Sequence, residues 1–281
     1  MNNFIETVIE VKGLTKIFGK GCPSCVEGTG PDYNTNICPY CKSIVACSNI
    51  SFKLFKSEIL GIVGESGSGK STLLKCLYLE QQPTDGEYYL NYYKEGKVNI
   101  FQLDSQEKRY IKNNLLGMVY QYPHLGLDMY ISCGGNIAEK LINSGYISIS
   151  KIRKRASELL NKTEIPLLRI DDFPKNFSGG MQQRVQIAKA LSNNPPILFL
   201  DEITSGLDVS VQAKVLDLIK SIQQELKISM LIVSHDMSVI RMLADRTIVM
   251  KNGKIVEMGL TDQILEDPQH PYTQLLISSI L

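Results

Sequence analysis

The chain has 281 residues, with 30 Lys and Arg against 29 Asp and Glu, a net charge of +1, 43% hydrophobic and 21% charged residues. This is the make-up of an ordinary globular protein, with length for one large α/β domain or two smaller lobes. The even charge balance excludes a general nucleic-acid binder, which needs clustered Lys and Arg. The N-terminus, M-N-N-F-I-E-T, has no basic region followed by an apolar stretch, and no apolar run approaches the roughly 20 residues that cross a bilayer. The chain is therefore expected to be cytoplasmic, with its seven cysteines reduced.

In chain order, a first strand is predicted over Val8 to Phe18 and a second over Ser48 to Leu54. Between them lie C-P-S-C (Cys22, Cys25) and C-P-Y-C (Cys38, Cys41), spaced C-x₂-C-x₁₂-C-x₂-C. Two such knuckles can converge four thiolates on a tetrahedral zinc. Zinc in a structural role ranks first, ahead of an iron–sulfur cluster, a disulfide pair or unliganded thiols. A polar segment of this length, 20–47, buries little core of its own, so metal would supply its stability. Cys47 is either a substitute ligand or a small buried residue.

The apolar run Glu58 to Val63 leads into G-E-S-G-S-G-K-S and then a helix-forming run, Thr72 to Leu79. Strand, glycine-rich loop and helix in that order cradle a triphosphate, because successive N–H groups and the helix dipole converge on an anion. Gly64, Gly67 and Gly69 allow the backbone to approach phosphate, with Glu65, Ser66 and Ser68 between them and Thr72 opening the helix. Lys70 reaches the β- and γ-phosphates, and the Ser71 hydroxyl ligates magnesium. The bound molecule is thus read as a triphosphate with Mg²⁺, which is ATP if the motifs downstream are those of an ATPase.

Strands are predicted over Tyr88 to Tyr93 and Lys97 to Phe101, and helices over Asn136 to Asn143 and Ser150 to Asn161. In F-S-G-G-M-Q-Q-R, Ser178 starts a helix and offers a hydroxyl and N–H groups to an anion. The strand Ile197 to Leu200 ends in Asp201, suited to hold magnesium through water, and Glu202, suited to polarise the attacking water. A further strand, Met230 to Ser234, ends at His235. K-N-G-K, Lys251 to Lys254, marks a tight hairpin, and the tail from Asp267 to Leu276 ends in a short helix.

In this order the motifs resemble those of the ABC ATPase family, over nearly the whole chain. The resemblance implies a P-loop α/β cassette: a RecA-like parallel-sheet core, an N-terminal antiparallel β subdomain, and a helical subdomain over 121–178 within the single domain 1–281. It implies that Gln121 is the Q-loop glutamine, that Ser178, Gly179, Gly180 and Gln182 are the signature, that Asp208 belongs to the D-loop, and that His235 contacts the γ-phosphate. Phe18 is the candidate for the aromatic that stacks on adenine. The family pattern implies catalysis by a head-to-tail dimer, formed with itself or with a sister ATPase, in which each signature completes the partner's site. Ile203 departs from the family, which usually has proline after the catalytic glutamate.

The tail and S-G-G-M-Q-Q-R are similar to the ATPases of oligopeptide, dipeptide and nickel importers. The segment after Gln121, Tyr122 to Leu141, departs from their usual S-L-N-P pattern. Together with Glu164 to Pro174 it is most similar to the K subunits of bacterial phosphonate carbon–phosphorus lyase systems. That implies carbon–phosphorus lyase core subunits as partners. The importer reading implies membrane permease subunits instead, with the chain peripheral to the inner face of the membrane.

Overall fold

In a computed structural model, the described residues are 6–278. They begin with β1 (Thr7–Phe18), β2 (Ile44–Phe55), β3 (Ile59–Val63), α1 (Lys70–Leu77) and β4 (Asp85–Leu90). Next come α2 (Ser105–Asn114), β5 (Leu116–Val119), α3 (Pro123–Gly126), α4 (Cys133–Asn143), α5 (Ile149–Lys162) and α6 (Gly179–Ala190). The chain closes with β6 (Ile197–Asp201), α7 (Val209–Leu226), β7 (Ser229–Val233), α8 (Met237–Leu243), β8 (Arg246–Lys251), β9 (Lys254–Leu260), α9 (Thr261–Glu266) and α10 (Pro271–Ser278). Two compact units result among the described residues, one made of those up to 104 together with those from 231 onward, the other of residues 105–230.

In the first unit β2, β1 and β4 form an antiparallel sheet. β3 runs parallel to β8, and β8 turns through Asn252 and Gly253 into antiparallel β9. Both turn residues have positive φ, 45° and 80°, as a tight two-residue hairpin requires. β3 is buried throughout, the mark of a strand covered on both faces.

In the second unit β5 and β6 are parallel, and both are apolar and buried along their length. Ser132 and Ser148 cap α4 and α5, their hydroxyls accepting from the N–H groups of Gly135 and Lys151. Ile152, Ala156, Leu159 and Leu160 form the buried stripe of α5, at the spacing of one helix face.

Three expectations need correction. Lys97 to Phe101 is not a strand: Asn99 Oδ1 accepts from Phe101 N (3.1 Å) and Tyr88 N (3.2 Å), so its side chain caps a 3₁₀ turn, Ile100–Gln102. Ile100 and Phe101 are buried, so the apolar pattern reported burial and not extended backbone. β4 begins three residues before Tyr88 and stops at Leu90, where a turn closes from Tyr93 N to Leu90 O. β2 starts at Ile44, pairing Ile44 with Phe18 and Val45 with Ile17. The cysteine segment is thus the loop of the β1–β2 hairpin.

Candidate functional site

In the first unit the loop after β3 bends at Gly64 (φ 147°), Gly67 (φ 83°) and Gly69 (φ 105°), all left-handed conformations that glycine alone adopts readily. A Cβ on Gly64 would stand 2.1 Å from Met250 O, and one on Gly69 2.0 Å from Ala46 O. The loop is packed backbone against backbone, leaving no room for a side chain at either glycine. Lys70 is buried and bridges the loop, its Nζ donating to Gly64 O (2.7 Å) and Glu65 O (2.9 Å). Gly253 N donates to Ser68 O (3.0 Å), and Glu65 N donates to Tyr272 Oη (3.0 Å). Ser66 is exposed, while Ser71 and Thr72 lie half-buried in the first turn of α1.

Phe18 ends β1 half-exposed, with Lys16 Nζ 4.9 Å above its ring. His235 is exposed two residues beyond the end of β7, and the Asp236 carboxylate caps α8 by accepting from Ser238 N (2.8 Å).

In the second unit β6 delivers Asp201, buried, and Glu202, half-buried. Glu202 has φ 45°, a left-handed conformation that costs a non-glycine residue of order 1–3 kcal/mol. Its carboxylate accepts from Gln121 Nε2 (3.0 Å) and Ser205 Oγ (3.1 Å), so the structure brings the predicted Gln121 and Glu202 together. The residue before Gln121 is tied to α6: Tyr120 N donates to Gln186 Oε1 (2.6 Å), and the Gln183 and Gln186 amides both donate to Tyr120 O.

Ser178 is exposed at the start of α6, its hydroxyl making no cap bond, and Gly179 follows exposed. Gly180 is buried where a Cβ would meet Val211 Cγ1 at 2.4 Å, so α6 packs on the first turn of α7. Gln182 Nε2 donates to Pro174 O and Phe177 O. Asp208 begins α7, exposed, also without a cap bond.

Back in the first unit, the sulfurs of Cys22, Cys25, Cys38 and Cys41 lie within 4.8 Å of one another. Individual separations are 3.6 Å (Cys22–Cys25), 3.6 Å (Cys22–Cys38) and 3.3 Å (Cys25–Cys41). A tetrahedron with metal–sulfur bonds of about 2.3 Å has sulfur–sulfur edges near 3.8 Å, so the cage fits one tetrahedral ion. It is tight for an iron–sulfur cube and too open for a disulfide, whose sulfurs bond at about 2.05 Å.

Ser43 holds Cys41 as the more acidic thiol, its hydroxyl and backbone N–H pulling the pKa down to about 6. The backbone N–H groups of Cys41 and Tyr40 lower that of Cys38. Burial pushes Cys25 up to about 12, a cost that a metal reverses by binding the thiolate. Cys47 stands apart on β2, buried with its thiol 3.7 Å from Gly69 O, so it is a packed residue and not a ligand in this cluster. Cys76 and Cys133 are buried in α1 and at the start of α4.

Several contacts have no sequence signal. Tyr272 reaches Glu65 from 207 residues away, and the Gln183 and Gln186 amides hold Tyr120 across more than 60. Asn36, inside the cysteine segment, donates from Nδ2 to Gly67 O (3.3 Å).

A glycine loop bridged by its own lysine, and a strand-end glutamate bonded to the glutamine ahead of a helix, define a nucleotide-hydrolysing cassette. The chain belongs to the ABC transporter family, whose profile matches residues 47–205, and it is an ABC ATPase. Residues 256–281 match the profile of the oligopeptide/dipeptide transporter C-terminal region. The chain is 49% identical over 234 residues to Escherichia coli PhnK, an ATP-binding protein named for phosphonates utilization, covering 83% of this chain and 91% of that one. To the oligopeptide transport ATP-binding protein OppD of Bacillus subtilis it is 39% identical over 248 residues, covering 86% and 68%. The dimeric ATP-binding cassette MJ0796, solved with ADP and Pi in a post-hydrolysis state, superposes with a TM-score of 0.75 at 30% identity, covering 90% of this chain and 98% of that one. Among the described residues no helix is long and apolar enough to cross a membrane.

Proposed function

We propose that the chain works as a head-to-tail pair of ABC ATPases docked on the carbon–phosphorus lyase core in phosphonate breakdown. The observation that carries this reading is the 49% identity across nearly all of a protein named for phosphonates utilization. An exposed apolar surface supports it: Tyr122, Leu125, Tyr130 and Ile131 lie in the segment after Gln121, held in shape by Asn136, whose Oδ1 accepts from Asp128 N and whose Nδ2 donates to Asp128 O and Ile131 O. That surface belongs to 121–178, which serves as the partner-facing helical subdomain.

In the site, Gly64 to Thr72 wrap the triphosphate, with Lys70 on its terminal phosphates and Phe18 on adenine. Ser71 and Asp201 would hold Mg²⁺, which would neutralise phosphate charge. Glu202 takes a proton from the attacking water, steered by Gln121 and His235. Ser178, Gly179, Gly180, Gln182 and Asp208 serve the ATP bound by the partner subunit. Cys22, Cys25, Cys38 and Cys41 hold a structural Zn²⁺, supported by the sulfur spacing.

Glu202→Gln removes the base, a contribution of about 10²–10⁴ in rate, and traps ATP in the closed pair. Affinity capture of that variant with ATP from gently solubilised native cells should recover lyase core subunits. Recovery of polytopic permease subunits would instead establish the importer reading, which the match over residues 256–281 favours. Turnover at the wild-type rate would refute the role given to Glu202.

A further inference from the structure

The cysteine loop touches the phosphate-binding loop, and the sequence motifs assign neither a role in the other. Asn36 lies two residues before Cys38, and its Nδ2 donates to Gly67 O at 3.3 Å. Gly67 sits at the loop tip, with nothing within 4 Å of where a Cβ would be. The Asn36 carbonyl accepts from Val45 N (2.8 Å), so this residue is anchored to β2 as well.

A second line of contact is independent of Asn36. Val45 is fully buried in a small cluster with Cys25 and Cys38, against which Cys22, Cys41 and Ile17 pack. The next carbonyl, Ala46 O, occupies the space a Cβ on Gly69 would need, and the Cys47 thiol approaches Gly69 O. Ser48 N then donates to Gly253 O (2.8 Å), and Gly253 N to Ser68 O (3.0 Å). Gly67, Ser68 and Gly69 are thus all braced from the cysteine loop or the strand that leaves it.

We infer that the metal-loaded cysteine loop is a clamp on the nucleotide site, with Asn36 as the positioning residue that couples metal occupancy to ATP affinity. This rests on the readings of the phosphate loop as an ATP site and of the four cysteines as a zinc site. Apart from the cysteines themselves, the cluster around the sulfurs has only Val45 and the partly buried Ile17, too little apolar surface to hold a loop of this length in one conformation. Withdrawing the metal releases the loop, Asn36 leaves Gly67, and the phosphate loop loses its outer brace. ATP then has to pay the ordering entropy that the metal had supplied, so it binds more weakly. Because coupling is reciprocal, ATP must tighten metal binding by the factor by which metal tightens ATP.

The test uses the full chain, a non-hydrolysable ATP analogue and zinc. Titration calorimetry should give an affinity about 2–10-fold weaker for Asn36→Ala than for wild type, the range of one hydrogen bond, with zinc content unchanged by elemental analysis. Asn36→Asp, which keeps the shape and removes the donor, should be at least as weak. Zinc-stripped wild type should lose as much or more, and stripping Asn36→Ala should cost less than stripping wild type. Release of zinc to a chromogenic chelator should slow when the analogue is bound to wild type, and much less in Asn36→Ala.

Zinc-loaded Asn36→Ala and Asn36→Asp that bind the analogue as tightly as wild type would overturn the inference alone, as would zinc release indifferent to nucleotide. Wild type purified without zinc and unable to take it up would overturn the zinc reading and the inference with it. Retained analogue binding by Lys70→Ala would do the same through the nucleotide-site reading.

Discussion

Replacing Lys140 with methionine should stabilise the protein at neutral pH and remove a rise in stability that the wild type shows on going alkaline. Lys140 is buried in α4, with Nζ donating to Leu116 O at 2.9 Å. Burial first, then the neighbouring Lys189 and Lys112 charges, push its pKa from 10.5 down to about 7. Between those values the unfolded chain holds a proton that the folded chain has given up, so stability increases with pH from about 7 to 10.5.

At 1.36 kcal/mol per pKa unit that shift is a penalty of about 4–5 kcal/mol, about 4 kcal/mol of it felt at pH 7. Methionine fills the same length without charge and forfeits the bond to Leu116 O, about 1 kcal/mol. The net gain at pH 7 is therefore about 3 kcal/mol, falling to about 1 kcal/mol at pH 9, where folded Lys140 is neutral and the unfolded chain still holds its proton. Urea denaturation of both proteins at pH 7 and pH 9 measures this, and the difference between them cancels the titrating groups that do not interact with Lys140. Parallel pH profiles, or a methionine variant weaker than wild type at pH 7, would refute the reasoning.

Gly69→Ala should lower stability by about 3 kcal/mol or more, since its Cβ meets a backbone carbonyl at 2.0 Å on top of left-handed strain of about 1–2 kcal/mol. Gly67→Ala carries the strain without the collision and should cost about 1 kcal/mol, so thermal denaturation of the pair separates packing from conformation. Arg246→Met strips the partner, 3.0 Å away, from Glu58, whose side chain is 7% exposed and whose pKa burial already raises. A loss of about 2–4 kcal/mol at pH 7 is expected, shrinking as pH falls and Glu58 takes up a proton; denaturation at pH 5 and 7 reads the difference.

The parts of the molecule legible in sequence are those where local chemistry and spacing agree. The loop from Gly64 to Ser71 declares itself because three left-handed turns and a bridging lysine need those residue types in that order. The cysteine pairs declare themselves because a tetrahedral cage needs two knuckles. What stayed hidden depends on residues distant in the chain. Nothing near Tyr272 shows that its hydroxyl will meet Glu65 N, and the glutamines of α6 read as generic polar positions although Gln183 and Gln186 are buried and hold Tyr120. The false strand at Lys97 to Phe101 failed for the opposite reason: its apolar residues Ile100 and Phe101 are buried, but a single asparagine side chain outcompeted the ladder for the backbone.

The cysteine loop lies beside the phosphate loop because of the hairpin that carries it. Because Phe18 pairs with Ile44 and Ile17 with Val45, the ends of the inserted segment are already held in register by a sheet. Closing a longer loop across such a hairpin costs only about 0.6 kcal/mol for each doubling of length, so the insertion burdens the sheet very little. Its real cost is its own disorder, which a single tetrahedral ion can offset, with binding on the order of 10–16 kcal/mol for structural zinc. The position of the insertion then has a physical consequence. The strand that leaves the loop, from Ile44 onward, supplies the Ala46 carbonyl that fills the place of a side chain at Gly69. An insertion at the far end of β2 would be stapled by metal equally well, yet it would not direct Asn36 to Gly67 or draw Val45 between the cysteines and the phosphate loop.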